Sequence, residues 1–551
     1  MINLTFFGRC SRTLRNMFAP KCSTFLPDRL PQGPLPDDLA AELRALTVNT
    51  TTGSVATEKR HNVENPWDGA TVGWVGIGTT DDVTHAFRRA REVQKTWRET
   101  PFDQRKQILT RFHDLVLKKR DLLLDIIQLE TGKDRASAFD EVMDVANNAR
   151  YYANSAEKLM RPARRTAGIP VLGRAREYRS PKGVVGQITP WNYPLTLGIS
   201  DAIAAIAAGN TVVAKPDSDT PFCSLICVQL LKDAGLPADV IQIITGEGRV
   251  VGSAIADACD YLMFTGSTKT GQRLGQQVGR RLVGFSAELG GKNPMIITGD
   301  ADARRAASRA VNACFSNSGQ LCVSIERIYV VQEIYDDFVS AFSAEVNRMK
   351  LGAGFDWSVT MGSLVSKEQL ATVESFVEDA REKGARILAG GRARPDLGPC
   401  FYEPTVLEGV SDDMRLKREE VFGPVVYVER VNTVDDALAR ANDTNYGLNA
   451  SIVGPSDTAW NIARRVEAGT VNINDGYAAA WSTVDAPLGG VKDSGMSRRH
   501  GAEGLLKYTE SHTIVEMRGM SVSGPRFLSR KLYAAIMGRL LSVGQKLRLL
   551  K

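Results

Sequence analysis

Histidine is scarce in this chain, with five among 551 residues and none between His113 and His500. The eight cysteines show no metal-ligand spacing, which argues against a disulfide framework and against a zinc site, so no metal is expected. Cys223 and Cys227 stand four apart on a helical pattern, the spacing of buried structural residues. A reducing cytoplasm fits this cysteine usage best. No apolar run approaches the roughly 20 residues needed to span a bilayer, so no integral membrane span is expected. A strong charge of one sign is also missing. The net charge is +6, from 69 basic and 63 acidic residues dispersed along the chain, and it makes no case for nucleic acid as a partner.

Acid is absent at both ends. The first 27 residues carry Arg9, Arg12, Arg15 and Lys21 without an acid, as a transit-type leader would, or as an upstream start ahead of Met17 would. Residues 521–551 carry seven basic residues and no acid, with Leu532, Ile536, Leu540 and Val543 at helical spacing. Such a tail suits a membrane-surface helix, or a helix docked on the parent fold or on a sister subunit; the docked helix is the expectation.

What is present is an α/β alternation long enough for two or three domains, with 43% hydrophobic content. From residue 183 the chain reads GVVGQIT, a helix to 208, TVVAK, a helix over 221–234, VIQIIT, a helix, DYLMFT, a helix, and FSAEL. Apolar strands separated by helices predict a Rossmann-like parallel sheet. Residues 81–160 read as helical. After residue 290 a second α/β unit begins, with a helix over 302–315, strand RIYVV and a helix over 335–349.

Ligands of open α/β sheets bind outside the carboxyl ends of the strands, so motifs there carry most weight. Gly266 to Gly271 opens a helix after a strand; it is either a seat for pyrophosphate on free amides or merely a turn. Lys215 ends a strand and either meets ribose and phosphate or is a solvated lysine. Asn192 precedes Pro194, as a turn residue or as an amide aimed at an oxyanion. Glu288 interrupts an apolar strand before Gly-Gly, where burial raises a carboxyl toward general-base range unless it is paired. Cys322, in FSNSGQLC, is on its own a candidate nucleophile or an inert core thiol.

Order and spacing decide between these alternatives. From about residue 60 to 517 the chain resembles the NAD(P)-dependent aldehyde dehydrogenases. It carries LETGK (129–133), PWNYP (190–194), GNTVVAKPDSDTP (209–221), FTGSTKTG (264–271), ELGGKNP (288–294), SGQLC (318–322), EEVFGPV (419–425), NYGLNAS (445–451) and GTVNIN (469–474). Within that family it is most similar to bacterial NADP-dependent succinate-semialdehyde dehydrogenases.

The resemblance implies that Cys322 attacks an aldehyde, that Asn192 and the Cys322 amide hold the oxyanion, and that Glu288 activates the water that hydrolyses the thioester. It implies cofactor contacts from Trp191, Asn192, Lys215, Pro216, Asp217, Ser218, Gly266, Ser267, Leu289, Glu420 and Phe422. Ser218 stands where strict NAD users commonly carry a glutamate, so NADP is the expected cofactor, with NAD as the alternative. The two arginines expected of an enzyme for succinate semialdehyde are replaced by Ser200 and Ser316. Tyr193, Leu197, Trp481 and Leu488 are expected to make the substrate funnel apolar, which favours a medium-chain aliphatic or aromatic aldehyde. A non-catalytic protein on this fold, or a reductase without a covalent step, is the competing class. The expected organisation is an N-terminal extension (1–58), a cofactor-binding domain (59–162 and 181–289), a catalytic domain (290–492), a small β oligomerisation element (163–180 and 504–517) and a basic tail (518–551). A homodimer or homotetramer follows from the same resemblance.

Overall fold

Strands Val184–Ile188, Thr211–Lys215 and Tyr261–Thr265 are buried at every position, the signature of a parallel sheet covered on both faces. In the computed structural model, which describes residues 37–46, 59–167, 173–518, 524–525 and 527–546, they form the centre of the first sheet. The acid-free stretch 1–27, whether leader or upstream start, lies outside the described residues.

From one edge inward, the parallel strands of this sheet run Gly284–Glu288, Tyr261–Thr265, Val184–Ile188, Thr211–Lys215 and Ile241–Ile243, and short antiparallel Gly495–Met496 closes the first edge. Strand order therefore reverses beside Val184–Ile188, which opens a crevice at its carboxyl end. Helices Thr80–Trp97, Phe102–Lys118, Arg120–Thr131 and Arg135–Met160 fill the region read as helical. The apolar faces of the last three join helices Pro194–Ala207 and Pro221–Asp233 in one core, while Thr80–Trp97 turns Val83, Ala86, Phe87 and Ala90 to a second core on the first sheet. Cys223 and Cys227 are buried there.

The second sheet has seven strands, parallel except at one edge: Arg386–Ala389, Thr405–Glu408, Val425–Val431, Ile325–Val331, Asn293–Ile297, Asn449–Val453 and Thr470–Ile473. Helices Ala303–Phe315 and Tyr335–Val346 pack on it. Ala163–Arg165, Gly173–Pro181 and Thr509–Met517 make a separate antiparallel sheet. Thr509–Met517 is its edge strand and is mostly exposed. The α/β expectation holds, and both sheets send strand ends toward one crevice.

Of the two docking sites expected for the tail, the parent fold is not used: Arg530–Lys546 is a helix whose Leu532, Ile536, Leu540 and Val543 are all exposed, which leaves a sister subunit as the other. The apolar period specified a face without specifying what covers it.

A buried ion pair ties the sheets' junction together. Lys292 Nζ donates to Glu326 Oε2 at 2.5 Å, and Glu326 also accepts from the amides of Val421 and Phe422, each at 3.0 Å. Removing one partner of such a pair costs about 3–5 kcal/mol because the other charge is left buried. Lys292→Met is therefore expected to lower unfolding free energy by about that amount, read as a shift of the denaturant midpoint.

Candidate active site

The segment ahead of Cys322 is bent by its backbone. Helix Ala303–Phe315 ends, and Asn317, Ser318 and Gly319 follow with φ of 50°, 56° and 69°. Two consecutive non-glycine residues in the left-handed region are strained, and the surroundings hold them there. The Asn317 amide donates to Ser137 Oγ at 3.0 Å, Ser318 Oγ donates to the Gly362 carbonyl at 2.9 Å, and Gln320 Oε1 accepts from the Val365 amide at 2.9 Å. Gly319 has no alternative, because a Cβ there would collide with the Gly423 carbonyl. On the far side, Asn293 Nδ2 donates to the Cys322 carbonyl at 2.7 Å. Cys322 is the one described cysteine that is not buried. Crowding and then the carboxyls of Glu420 and Glu288 push its thiol up to about 12, so it rests protonated.

Asn192 sits in the turn between strand Val184–Ile188 and helix Pro194–Ala207. Its Nδ2 donates to the Gln320 carbonyl at 3.1 Å, two residues before Cys322, while its Oδ1 is buried without a partner. The Asn192 carbonyl accepts from Lys133 Nζ at 2.7 Å and from Asn317 Nδ2 at 3.0 Å. Lys133 is fully buried and donates to Glu141 Oε1 at 2.6 Å; Glu141 Oε2 in turn accepts from the amides of Leu195 and Thr196 at 2.8 and 3.1 Å. In the sequence Lys133 stands out only as the end of LETGK, and Glu141 belongs to none of the motifs.

Glu288 ends strand Gly284–Glu288 beside Gly489, where a Cβ would lie 2.6 Å from Glu288 Oε1. Burial raises its carboxyl to about 8, opposed chiefly by the charge of Arg499. Arg499 is itself buried. Its Nη2 lies 2.7 Å from Asp201 Oδ2, off the hydrogen-bond direction, so its Nε and Nη2 keep no hydrogen-bond partner. Lys507 Nζ and Tyr508 Oη donate to Asp201 Oδ1 at 3.1 and 3.2 Å. Neither Arg499 nor Asp201 is foreseen by the sequence, since no local pattern links residues so far apart in the chain. His500 packs edge-on against Trp481, and burial lowers it to about 3, so it is neutral.

The positions implicated in cofactor contact divide into two groups. At the end of strand Thr211–Lys215, Lys215 is buried and donates from Nζ to the Pro216 carbonyl at 2.6 Å. Asp217 Oδ1 accepts from the Asp219 amide at 3.1 Å, and Ser218 Oγ donates to the Gly246 carbonyl at 3.1 Å. Ser267 caps helix Thr268–Gly279 directly after Gly266, and Gly271 in that helix packs against Leu289. An open groove of about 520 Å³ runs past this helix, lined by Ile188, Glu247, Gly248, Arg249, Thr270, Arg273 and Leu274. Arg249 and Arg273 carry no sequence signal of their own. At the other end, Glu420 Oε1 accepts from the Gly291 amide at 2.8 Å and lies against Gly290. Phe422 (φ 55°) meets Trp191 edge-on, with ring centroids 5.4 Å apart.

Tyr193, Leu197, Trp481 and Leu488 pack together with Leu321, Val323, Leu448 and Tyr477, and Cys322 borders this cluster. Ser200 lies deeper and donates to Asp144 Oδ2 at 2.8 Å. Ser316 is half-buried and donates to Asn312 Oδ1 at 2.9 Å.

A thiol, a carboxyl and an amide thus converge beside a buried apolar cluster, and a separate open groove carries two arginines and a glutamate. The aldehyde dehydrogenase family model matches residues 54–514. The chain belongs to the aldehyde dehydrogenase family. A Mycolicibacterium smegmatis protein with the provisional name NADP(+) succinate-semialdehyde dehydrogenase is 50% identical over 486 residues, 88% of this chain and 94% of that one. A mitochondrial succinate-semialdehyde dehydrogenase of Oryza sativa is 37% identical, over 82% of this chain and 85% of its own. Among solved structures, the Staphylococcus aureus betaine aldehyde dehydrogenase in complex with NAD+ has a TM-score of 0.82 at 32% identity, covering 89% of this chain and 99% of that one. An E. coli NADP-dependent enzyme has a TM-score of 0.80 at 33% identity, covering 83% and 95%.

The raised Glu288 carboxyl has a sign-defined effect on stability. A folded-state value of about 8 against an ordinary 4.5 means that the folded chain holds a proton the unfolded chain has lost. That contribution is complete below about 4.5 and is lost as pH rises through about 8. Glu288→Gln, which cannot ionise, is therefore expected to gain Tm over the parent by a larger margin at high pH than at low pH. Thermal scans at both ends of this range check it.

Proposed function

We propose that this enzyme oxidises an aldehyde to a carboxylate with NADP, through a thioester on Cys322. The observation that carries the proposal is the convergence of Cys322, Glu288 and Asn192 at one border of an apolar cluster. Sulfur adds to the aldehyde carbon, and the thiol proton leaves toward Glu288 in its ionised form. The new oxyanion takes hydrogen bonds from Asn192 Nδ2 and the Cys322 amide. Bound nicotinamide supplies the hydride acceptor, leaving a thioester on sulfur. Once Glu288 has passed the thiol proton on to solvent, it removes a proton from water as that water's oxygen adds to the thioester carbon, and the carboxylate departs as the C–S bond breaks.

The groove supports a phosphorylated dinucleotide. Ser218 brings no repelling charge, Lys215 stands three residues before it, and Arg249 follows three residues after Gly246, whose carbonyl Ser218 meets. Glu420 and Phe422 would border the nicotinamide. The relatives' NADP(+) name agrees with this reading. On the substrate side that name points to succinate semialdehyde, but the funnel residues favour an apolar aldehyde. Neither Ser200 nor Ser316 can form the bidentate charge-assisted pair that an arginine would give a carboxylate tail, in which each hydrogen bond to the charged group contributes about 1.5–3 kcal/mol. The exposed edge strand Thr509–Met517 supports pairing with a sister subunit, and hence a dimer or tetramer.

Cys322→Ala is expected to abolish turnover, while Glu288→Gln forms the acyl-enzyme more slowly and fails to release it; intact-mass detection of the trapped adduct separates this from a reductase without a covalent step. In the parent, activity should rise with pH through an acid limb near 8, because the ionised form of Glu288 is the one that accepts protons. A medium-chain or aromatic aldehyde should exceed succinate semialdehyde in kcat/KM, and the reverse ranking in a side-by-side assay would overturn the substrate reading.

Ser218→Glu is expected to move the NADP/NAD ratio of kcat/KM toward NAD by roughly tenfold or more, if about 1.4 kcal/mol of repulsion is introduced. An unchanged ratio removes the case for NADP selection at this position.

A further inference from the structure

Helix Arg530–Lys546 leaves its large apolar side chains uncovered. Leu532, Ile536, Leu540, Leu541 and Val543 are 51, 41, 57, 53 and 51% exposed, and Phe527 just before them is 89% exposed. Exposed large apolar side chains occurring singly are ordinary, but here they form one surface. At 3.6 residues per turn, Leu532, Tyr533, Ile536, Met537, Leu540, Leu541 and Val543 occupy one half of the helix circumference. Lys531, Arg539, Ser542, Gln545 and Lys546 occupy the other half, and Arg530, the first residue of the helix, sits toward the edge of the apolar half. No acid occurs anywhere in 521–551.

Two facts select the occupant of this face. Among the described residues no helix is long and apolar enough to cross a membrane, so this one cannot span. The seven basic residues of 521–551 repel the same segment of a second copy, whereas an anionic surface attracts them. An apolar face opposite a purely basic polar face matches the headgroup boundary of a bilayer. We propose that helix Arg530–Lys546 lies in the plane of an anionic lipid surface, with Leu532, Ile536, Leu540 and Val543 among the acyl chains and Lys531, Arg539 and Lys546 at the headgroups. The proposal is independent of the reaction assigned above, since none of these residues borders Cys322.

The full chain is to be floated with vesicles of phosphatidylcholine alone and with vesicles containing phosphatidylglycerol, at low and high salt. Expected is co-flotation with the anionic vesicles that falls at high salt, and at least tenfold less with the neutral ones. Ile536→Asp with Leu540→Asp should abolish flotation. Lys531→Glu with Arg539→Glu should weaken it, by roughly fivefold per lost basic charge at about 1 kcal/mol each, and more on reversal. Both double variants should keep the parent's activity on a water-soluble aldehyde and its oligomeric mass. Three results overturn the proposal: no flotation, flotation that survives both double variants, or a change of oligomeric mass in Ile536→Asp with Leu540→Asp without vesicles. The last would make a second copy the occupant of the face.

Discussion

The buried Lys133–Glu141 pair is the contact on which the site's geometry rests. Taking either charge out of water costs several kcal/mol, and the pair offsets this only by meeting each other and further partners in good geometry. Those partners are the site itself. Lys133 directs its second hydrogen bond to the Asn192 carbonyl and sets its ammonium over the Tyr193 ring at 3.9 Å. Glu141 turns its other oxygen to the first amides of the helix that follows. The Asn192 carbonyl also takes Asn317 Nδ2, which donates in addition to the Gln320 carbonyl. A single lysine between two helices therefore sets the position of the Asn192 turn, and through Asn317 that of the turn before Cys322.

Three buried carboxyls, Glu130, Glu288 and Glu420, are all raised to about 8, and burial is the leading cause in each. They are not equivalent. Glu130 is engaged by the amides of Phe222 and Cys223 at 2.6 and 2.8 Å, where it caps a helix, and Glu420 is held by the Gly291 amide. Among the described residues none donates a hydrogen bond to the Glu288 carboxyl, and the main opposition to its shift is the charge of Arg499, Lys507 and Arg498. A carboxyl biased by fields rather than anchored by backbone is able to reorient between a thiol and a water. That freedom, more than the raised value shared with the other two, distinguishes it as the proposed base.

Much of the fold was legible because fully buried parallel strands read as continuous apolar runs, as in TVVAK and DYLMFT. Strand Asn293–Ile297 was not legible: it follows Gly-Gly and carries Pro294 at its start, both of which read as loop. Of the candidate site, the strand-end residues were legible because topology places strand ends at the crevice. Lys133 with Glu141, and Asp201 with Arg499, were not, because a buried ion pair joining distant positions has no periodicity to betray it. The left-handed Asn317 and Ser318 were equally silent, since tertiary contacts rather than residue type impose their conformation.

The same electrostatics bears on the substrate. Where an enzyme for an anionic aldehyde would be expected to gather cations around the funnel, the hydroxyls here lead back to acids. Ser200 is bonded to Asp144, and Tyr477 donates to Asp140 Oδ2 at 3.2 Å. Both acids are raised to about 6 by burial, so near neutrality each is mostly ionised and negative. The buried cations nearby are already committed, Arg499 and Lys507 to Asp201 and Lys133 to Glu141. To draw one of them toward a substrate carboxylate would strip a buried acid of its partner, and the loss would be comparable with the stabilisation that the new pair brings. An uncharged tail asks for no such exchange. On the proposed reading it would meet Tyr193, Leu197, Trp481 and Leu488, and burial against that cluster is favourable in proportion to the apolar area covered.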